Sequence, residues 1–164
     1  MSSPVPGSPM RPGYTIVQRN DPDSVERLLT ALPDWFGIEQ SVREYVEDAR
    51  TKPTYLAVES ETTEVIGALL ITRHFPESAE MHLLAVDPAH HRRGIGATLA
   101  RRFEDDMRAD GARLLQVKTM GPSCPDESYA TTLAFYRAMG YLPLDELHGY
   151  WPEDPCLILV KPLS

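Results

Sequence analysis

Short apolar runs and amphipathic stretches alternate along most of the chain, with turn residues between them. Continuous or alternating apolar residues predict strands at 13–19, 53–59, 64–74, 80–86, 113–119, 141–147 and 156–161. Apolar residues spaced three or four apart predict helices after Asp21, at about 38–49, at 96–110 and at 129–139. This pattern of about seven strands and four helices predicts an α/β fold of the mixed α+β kind. We expect one domain over 13–164, preceded by a flexible proline-rich tail at 1–12.

The segment 80–99 combines a strand, a basic loop and the start of a helix. The apolar run 83–86 is long enough for a buried strand, and Pro88 stops it because proline cannot donate to a sheet. The loop contains Gly94 and Gly96, which allow backbone N–H groups to approach a ligand closely. The first amides of the following helix lack internal partners, and that end carries the positive pole of the helix dipole. Together with His91, Arg92 and Arg93, this loop suits a phosphate or pyrophosphate.

Other interpretations of this loop exist. The two glycines and two arginines could form only a solvated turn before a surface helix. A Rossmann dinucleotide fingerprint requires a third glycine, where this chain has Leu99. A P-loop requires Gly-Lys followed by Ser or Thr, and the sequence has no such motif.

Composition narrows the classes of partner. The chain has 164 residues and a formal net charge of −8, which argues against nucleic acid because nucleic-acid-binding proteins usually carry a basic surface. No apolar run is long enough to span a membrane, and the N-terminus lacks the apolar core of a signal peptide. Cys124 and Cys156 show neither disulfide nor metal-ligand spacing, so we expect a reduced, cytoplasmic setting and no metal.

Two motifs resemble those of the GNAT superfamily of N-acetyltransferases. The family pattern Gln/Arg-x-x-Gly-x-Gly/Ala maps onto 91–96, with His91 in the place of glutamine or arginine. The segment 133–141, Leu-Ala-Phe-Tyr-Arg-Ala-Met-Gly-Tyr, is similar to the family's Phe-Tyr-x-x-x-Gly-Phe/Tyr motif. The resemblance implies a GNAT fold with a V-shaped opening between strands. It also implies direct transfer of acetyl from acetyl-CoA, within a ternary complex, to a primary amine of a small molecule, peptide or protein.

The resemblance implies a binding site for acetyl-CoA. The backbone N–H of Leu84 would bind the acetyl carbonyl, and Val86 would pair with the pantetheine arm. Tyr129 stands where the family often has an asparagine that bonds this arm. The candidate cofactor-binding residues are Leu84, Ala85, Val86, His91, Arg92, Arg93, Gly94, Ile95, Gly96, Ala97 and Thr98.

Three side chains are candidates for the chemistry. A protonated amine must lose a proton before it attacks a thioester, so the site needs a base. Glu80 matches the glutamate base of some GNAT enzymes and His82 is a second candidate, while Tyr136 matches the family's general acid. The period of a strand predicts that Glu80, His82, Leu84 and Val86 share one face unless a bulge intervenes. Alternatively, Glu80 is a solvated carboxylate, His82 a hydrogen-bonded core residue and Tyr136 a packed helix residue.

The amine acceptor is expected to lie against aromatic side chains. By the same resemblance, the first two helices and their connection form one wall, which makes Trp35, Phe36 and Tyr45 candidate substrate contacts. Trp151 could rim the site, or these aromatics could belong to the core. A homodimer and a non-catalytic acyl-CoA-binding sensor are open alternatives for the assembly and the function.

Overall fold

The computed structural model describes residues 13–33, 39–124 and 127–164. Its strands are β1 (Tyr14–Gln18), β2 (Thr54–Glu59), β3 (Val65–Phe75), β4 (Ser78–Val86), β5 (Leu114–Met120), β6 (Leu142–Leu147) and β7 (Cys156–Pro162). Its helices are α1 (Pro22–Thr30), α2 (Glu39–Asp48), α3 (Ile95–Ala109) and α4 (Glu127–Ala138). The expected tail at 1–12 and the candidates Trp35 and Phe36 lie outside the described residues.

All seven described strands form one mixed sheet in the order β1-β2-β3-β4-β5-β7-β6. Strands β1 to β4 form a series in which each runs antiparallel to the one before it, and β5 joins β4 in parallel after the α3 crossover. Strand β7 lies between β5 and β6, antiparallel to both. The predicted mixed fold is therefore confirmed, and most element boundaries differ from the predicted ones by one or two residues, as helix and strand ends commonly do.

Helices cover both faces of the sheet. On one face, α3 buries Ile95, Leu99 and Phe103, which recur every fourth residue as predicted, and α4 packs beside it. On the other face, the apolar residues of α1 and α2 pack over β2, β3 and β4. Helix α1 starts where the sequence predicts, because the Asp21 side chain accepts a hydrogen bond from the Ser24 amide.

The start of α3 lies very close to the sheet. A methyl group at Gly67 of β3 would come within 2.9 Å of Ile95 Cγ2 and 3.2 Å of Leu99 Cδ1. Only a glycine leaves room for this approach without a shift of the helix. The first turn of α3, and with it the glycine loop, is thus fixed against the middle of the sheet.

A β-bulge in β4 corrects the predicted placement of its side chains. Leu83 pairs with Leu70 and Met81 pairs with Ile71, so His82 is an extra residue without a partner on β3. Leu84 packs on the α3–α4 face, whereas Glu80 points to the α1–α2 face. The prediction that Glu80, His82, Leu84 and Val86 share one face is therefore wrong, since one inserted residue inverts the alternation beyond it.

Candidate active site

Strands β4 and β5 separate after a short contact. Over their described length they pair only where residues 78–80 lie beside residues 114–116. The Asp87 amide donates to the Ile66 carbonyl of β3 at 2.9 Å, so the main chain of Asp87 faces β3. Because alternate residues of a strand face opposite neighbours, the main-chain groups of Leu84 and Val86 face the opening between β4 and β5. The opening thus has backbone donors and acceptors on its β4 side.

The loop between β4 and α3 leaves helix amides available. A short 3₁₀ turn, Pro88–His90, follows β4, and Gly94 ends the loop in a left-handed conformation with φ 74° and ψ 14°. The first hydrogen bond of α3 runs from the Thr98 amide to the Gly94 carbonyl, at 3.0 Å. Gly94 has no side chain with which to cap the helix, so the amides of residues 95–97 can bind an anion.

Arg93 connects this loop to the first hairpin of the sheet. Its Nη1 donates to Glu59 Oε2 at 3.2 Å and to His90 Nδ1 at 2.7 Å, and its guanidinium lies 5.6 Å from the centre of the Tyr14 ring. A hydrogen bond from Thr62, followed by the contact with Arg93, lowers the pKa of Glu59 below its usual value. Arg93 therefore holds the loop in position, while its predicted contact with phosphate stays a prediction.

The other polar side chains of the loop differ in their surroundings. His91 Nε2 lies 2.9 Å from the Val86 carbonyl oxygen, at the edge that faces the opening. Arg92 is exposed and has φ 68°, an uncommon conformation for a residue with a side chain. The Thr98 hydroxyl lies 3.0 Å from the Tyr14 hydroxyl and donates to the Gly94 carbonyl.

Glu80 is a buried carboxylate surrounded by hydrogen-bond donors. It lies at the last position where β4 pairs with β5, and its side chain is 5% exposed. Its Oε1 accepts from His74 Nε2 at 2.7 Å, Gln116 Nε2 at 3.1 Å and Lys118 Nζ at 3.2 Å. None of these three bonds involves Oε2. Hydrogen bonds and a cation stabilise a buried negative charge, so the arrangement keeps this carboxylate in place.

Lys118 connects Glu80 with the loop between β6 and β7. Its Nζ lies 5.3 Å from the centre of the Tyr150 ring, and Trp151 packs beside Tyr150 with 6.1 Å between ring centres. Partial burial lowers the pKa of Lys118, but the Glu80 carboxylate and a hydrogen bond with Tyr150 outweigh this effect and raise it overall. Lys118 is thus a fixed cation at neutral pH, and it brings the loop that carries Trp151 near Glu80.

His82, the bulge residue, pairs with helix α2. Its Nε2 lies 2.8 Å from Asp48 Oδ2 at the end of that helix. The Tyr45 ring packs edge-on against the imidazole, with 5.3 Å between ring centres. Burial, with a further contribution from the Glu80 carboxylate, raises the pKa of Tyr45 to about 12. The predicted substrate contact Tyr45 and both predicted bases therefore lie on the same side of the sheet.

Tyr136 reaches the site from the opposite face. It lies in α4, 7% exposed, with its ring 5.3 Å from that of Phe135 and 6.0 Å from that of Tyr141. Burial raises the pKa of Tyr136 above its usual value, and Tyr45 on the other side of the sheet adds to the rise. The hydroxyl therefore keeps its proton at neutral pH and remains a hydrogen-bond donor.

Some residues of this site were missing from the sequence-based candidates. Gln116 and Lys118 alternate with buried apolar residues in β5, an inner strand, and polar residues there are a signal that the sequence does contain. His74 and Asp48 become neighbours of the two candidate bases only through tertiary packing. Within the described residues no group of three or more His, Cys, Asp or Glu could hold a metal ion. No described helix has the length and apolar character that crossing a membrane requires.

The fold and the opening beside a helix N-terminus define a class of acyl-CoA-dependent acyltransferases. The family model described as "Acetyltransferase (GNAT) family" matches residues 23–141, so the chain belongs to the GNAT acetyltransferase family. The protein is an N-acetyltransferase, and acetyl-CoA is its acetyl donor.

Individual relatives are distant in sequence. The ribosomal protein bS18-alanine N-acetyltransferase of Escherichia coli K12 is 24% identical over 144 residues, which covers 82% of this chain and 93% of the relative. A GNAT-family acetyltransferase structure from Desulfovibrio desulfuricans has a TM-score of 0.80 at 19% identity and covers 92% of this chain and 99% of that one. A GNAT acetyltransferase from Elizabethkingia anophelis with acetyl-CoA bound has a TM-score of 0.70 at 18% identity, with the same two coverages.

Proposed function

We propose that this enzyme acetylates a primary amine of a peptide, protein or small molecule by direct transfer in a ternary complex. The observation that carries the proposal is the uncapped start of α3 beside the separated strands β4 and β5. That arrangement binds an anionic group at the helix and an extended arm along β4. The relative named above is an N-acetyltransferase for an alanine of a ribosomal protein, whereas an aminoglycoside 6'-N-acetyltransferase with a similar fold is named for a small molecule.

The donor fits the residues of the opening. The amides of residues 95–97 would hold the pyrophosphate, with Arg92 and His91 at the rim. A methyl group at Gly96 would lie 3.6 Å from Phe135 and 3.8 Å from Val86, which are ordinary contacts, so these two side chains form the wall of the cleft beside the helix start. The main-chain groups of Leu84 and the amide of Val86, which face the opening, would orient the acetyl carbonyl and the pantetheine arm.

Glu80 would act as the base through water. It pairs with Thr72 and Leu84 pairs with Leu69, three residues apart on β3, which is about 10 Å along a strand and too far for direct contact with an amine that attacks at Leu84. Its Oε1 is occupied by three donors, so Oε2 is the oxygen that would take the proton from a bridging water. His82, two residues closer to Leu84, is the other group that can accept a proton.

Tyr136 would assist the departing sulfur. A thiol such as that of CoA has a pKa of about 8.5, below the usual value for a tyrosine. Burial raises the pKa of Tyr136 further, so donation of a hydrogen bond to the sulfur is easier than full transfer of the proton. Removal of the Tyr136 hydroxyl should lower turnover and leave the binding of acetyl-CoA intact.

The proposal is tested by incubating the enzyme with acetyl-CoA and a panel of amines and measuring the release of free CoA thiol. We expect Tyr136→Phe and Glu80→Gln each to lower kcat by about 100-fold, with the affinity for CoA unchanged. Tyr141→Phe and Glu104→Gln are matched controls, since Tyr141 and Glu104 form a separate hydrogen-bonded pair. Equal losses in the controls, or full activity in both test variants, would refute the assigned roles. Failure of acetyl-CoA to bind would refute the donor site.

The acceptor wall and the setting of the enzyme complete the proposal. We propose that Tyr45 and Trp151 contact the acceptor, because Tyr45 lies near Glu80 and Trp151 packs beside Tyr150, the ring that Lys118 contacts. Trp35 and Phe36 stay predictions. A cytoplasmic location is supported by two free thiols, Cys124 and Cys156. The edge strand β6 has two exposed leucines, Leu142 and Leu144, which support a homodimer. Light scattering would measure the oligomeric state.

A further inference from the structure

The pair formed by His82 and Asp48 has the geometry of an oriented base. The imidazole is one quarter exposed, at the bulge where β4 moves away from β5. A carboxylate only accepts hydrogen bonds, so the 2.8 Å contact places a hydrogen on Nε2, and in the neutral ring this fixes the tautomer. Nδ1 is then the nitrogen with a free lone pair, and it is the atom that can take a proton.

The position of His82 suits this role. It lies two residues before Leu84, which is about 6–7 Å along a strand. The groups that contact it are Asp48 and Tyr45 of α2. Glu80 of its own strand acts on Tyr45, and its carboxylate is bonded to His74 and Lys118. The edge-on Tyr45 ring limits rotation of the imidazole. A carboxylate at Nε2 also stabilises the imidazolium that proton uptake produces.

We propose that Asp48 is a positioning residue for catalysis, which holds His82 in the tautomer that accepts the acceptor's proton. The inference rests on the proposed amine acetylation. His82 Nδ1 takes one proton from the ammonium group and passes it, through the bridging water at Glu80 Oε2, to solvent. The freed amine forms the bond from nitrogen to the acetyl carbon as the bond from carbon to sulfur breaks. The second amine proton goes to the sulfur, so the products are the amide, CoA thiol and one proton.

Steady-state kinetics of the full chain test the role of Asp48. We expect Asp48→Asn to lower kcat/KM for the amine by about 100-fold, with unchanged affinity for CoA. The control Glu47→Gln removes a neighbouring charge that pairs only with exposed Arg50 among the described residues, and it should stay within twofold of wild type. In a His82→Gln background, Asp48→Asn should lower kcat/KM by less than twofold, because Asp48 acts only by positioning the histidine. An equal loss in both backgrounds would overturn the proposal.

Nitrogen-15 NMR of the imidazoles gives a readout that does not depend on turnover. His82 is assigned by the signal lost in His82→Gln. We expect a neutral ring protonated at Nε2 in wild type and a mixture of tautomers in Asp48→Asn. A wild-type ring protonated at Nδ1 would overturn the proposal even if the enzyme acetylates amines. Absence of acetyl transfer by wild type, with the expected tautomer present, would instead refute the proposed function.

Discussion

The left-handed conformation of Gly94 makes a quantitative prediction about the donor site. The residue has φ 74°, and no atom lies within 4 Å of the position that a Cβ would take. An alanine here therefore adds no clash. It adds only the cost of a left-handed backbone for a residue with a side chain, about 1–2 kcal/mol.

That cost must appear in the complex with CoA, whichever way the free loop responds. If the free loop keeps its conformation, the unfolding free energy of Gly94→Ala falls by the full amount and the affinity is unchanged. If the free loop relaxes, stability is kept and binding has to restore the strained conformation. The affinity for CoA then falls by about 5- to 30-fold, since 1.4 kcal/mol is a factor of ten. The two losses together equal about 1–2 kcal/mol.

Denaturant unfolding of the free protein and calorimetric titration with CoA measure the two parts separately. Gly94→Asn is the matched variant, because asparagine adopts left-handed conformations more readily, and its summed loss should be smaller. Gly96→Ala is the helical control: its methyl group meets Phe135 at 3.6 Å, an ordinary contact, and α3 should gain about 0.5–1 kcal/mol. No loss of either kind in Gly94→Ala would refute the left-handed loop.

Three further outcomes follow from the charge network. Glu59→Gln should weaken CoA binding about threefold or more despite removing a negative charge near an anionic ligand, because Arg93 loses its anchor; tighter binding in calorimetry would contradict this. Glu104→Ala should lower the unfolding free energy by about 3 kcal/mol, since it leaves Lys161 without its buried partner; a loss below about 1 kcal/mol in urea would contradict it. The pKa of Tyr45 is about 12 in the folded protein, and its usual value is 10.0. The neutral hydroxyl therefore makes its full contribution to the unfolding free energy below pH 10, and this contribution is lost as the pH rises through 12. Unfolding of Tyr45→Phe should accordingly depend less steeply on alkaline pH, and an unchanged slope would contradict the raised pKa.

Local pattern was sufficient for much of the fold. The buried stripe of α3 and the start of α1 at Asp21 depend on residues a few positions apart, and both occur where predicted. The parallel pairing of β4 with β5 follows from their connection through a helix. The insertion of β7 between β5 and β6 was not predicted, because neither strand's own sequence specifies which neighbour it joins.

The chemistry of the site depended on contacts that span the chain. Glu80 was selected for its place in a motif, but its three donors come from β3 and β5. Asp48 lies 34 residues from His82 in sequence, and nothing near it distinguishes it from the other acids of α2. The charge of Arg93 and its place in the glycine loop predict a phosphate ligand, whereas its geometry depends on Glu59 of another hairpin.

The bulge at His82 would allow one strand to serve both parts of the proposed reaction. In a regular strand, side chains 80, 82, 84 and 86 would share a face, so the polar groups and the apolar ones would compete for the same surface. The extra residue leaves Glu80 on the face of α2 and places Leu84 and Val86 against α3 and α4. The side chains proposed to accept a proton and the backbone groups proposed to bind the acetyl donor thus occupy one strand without sharing a surface. Because of the bulge, one residue of β4 does not pair with β3, and it lies beyond the segment in which β4 pairs with β5.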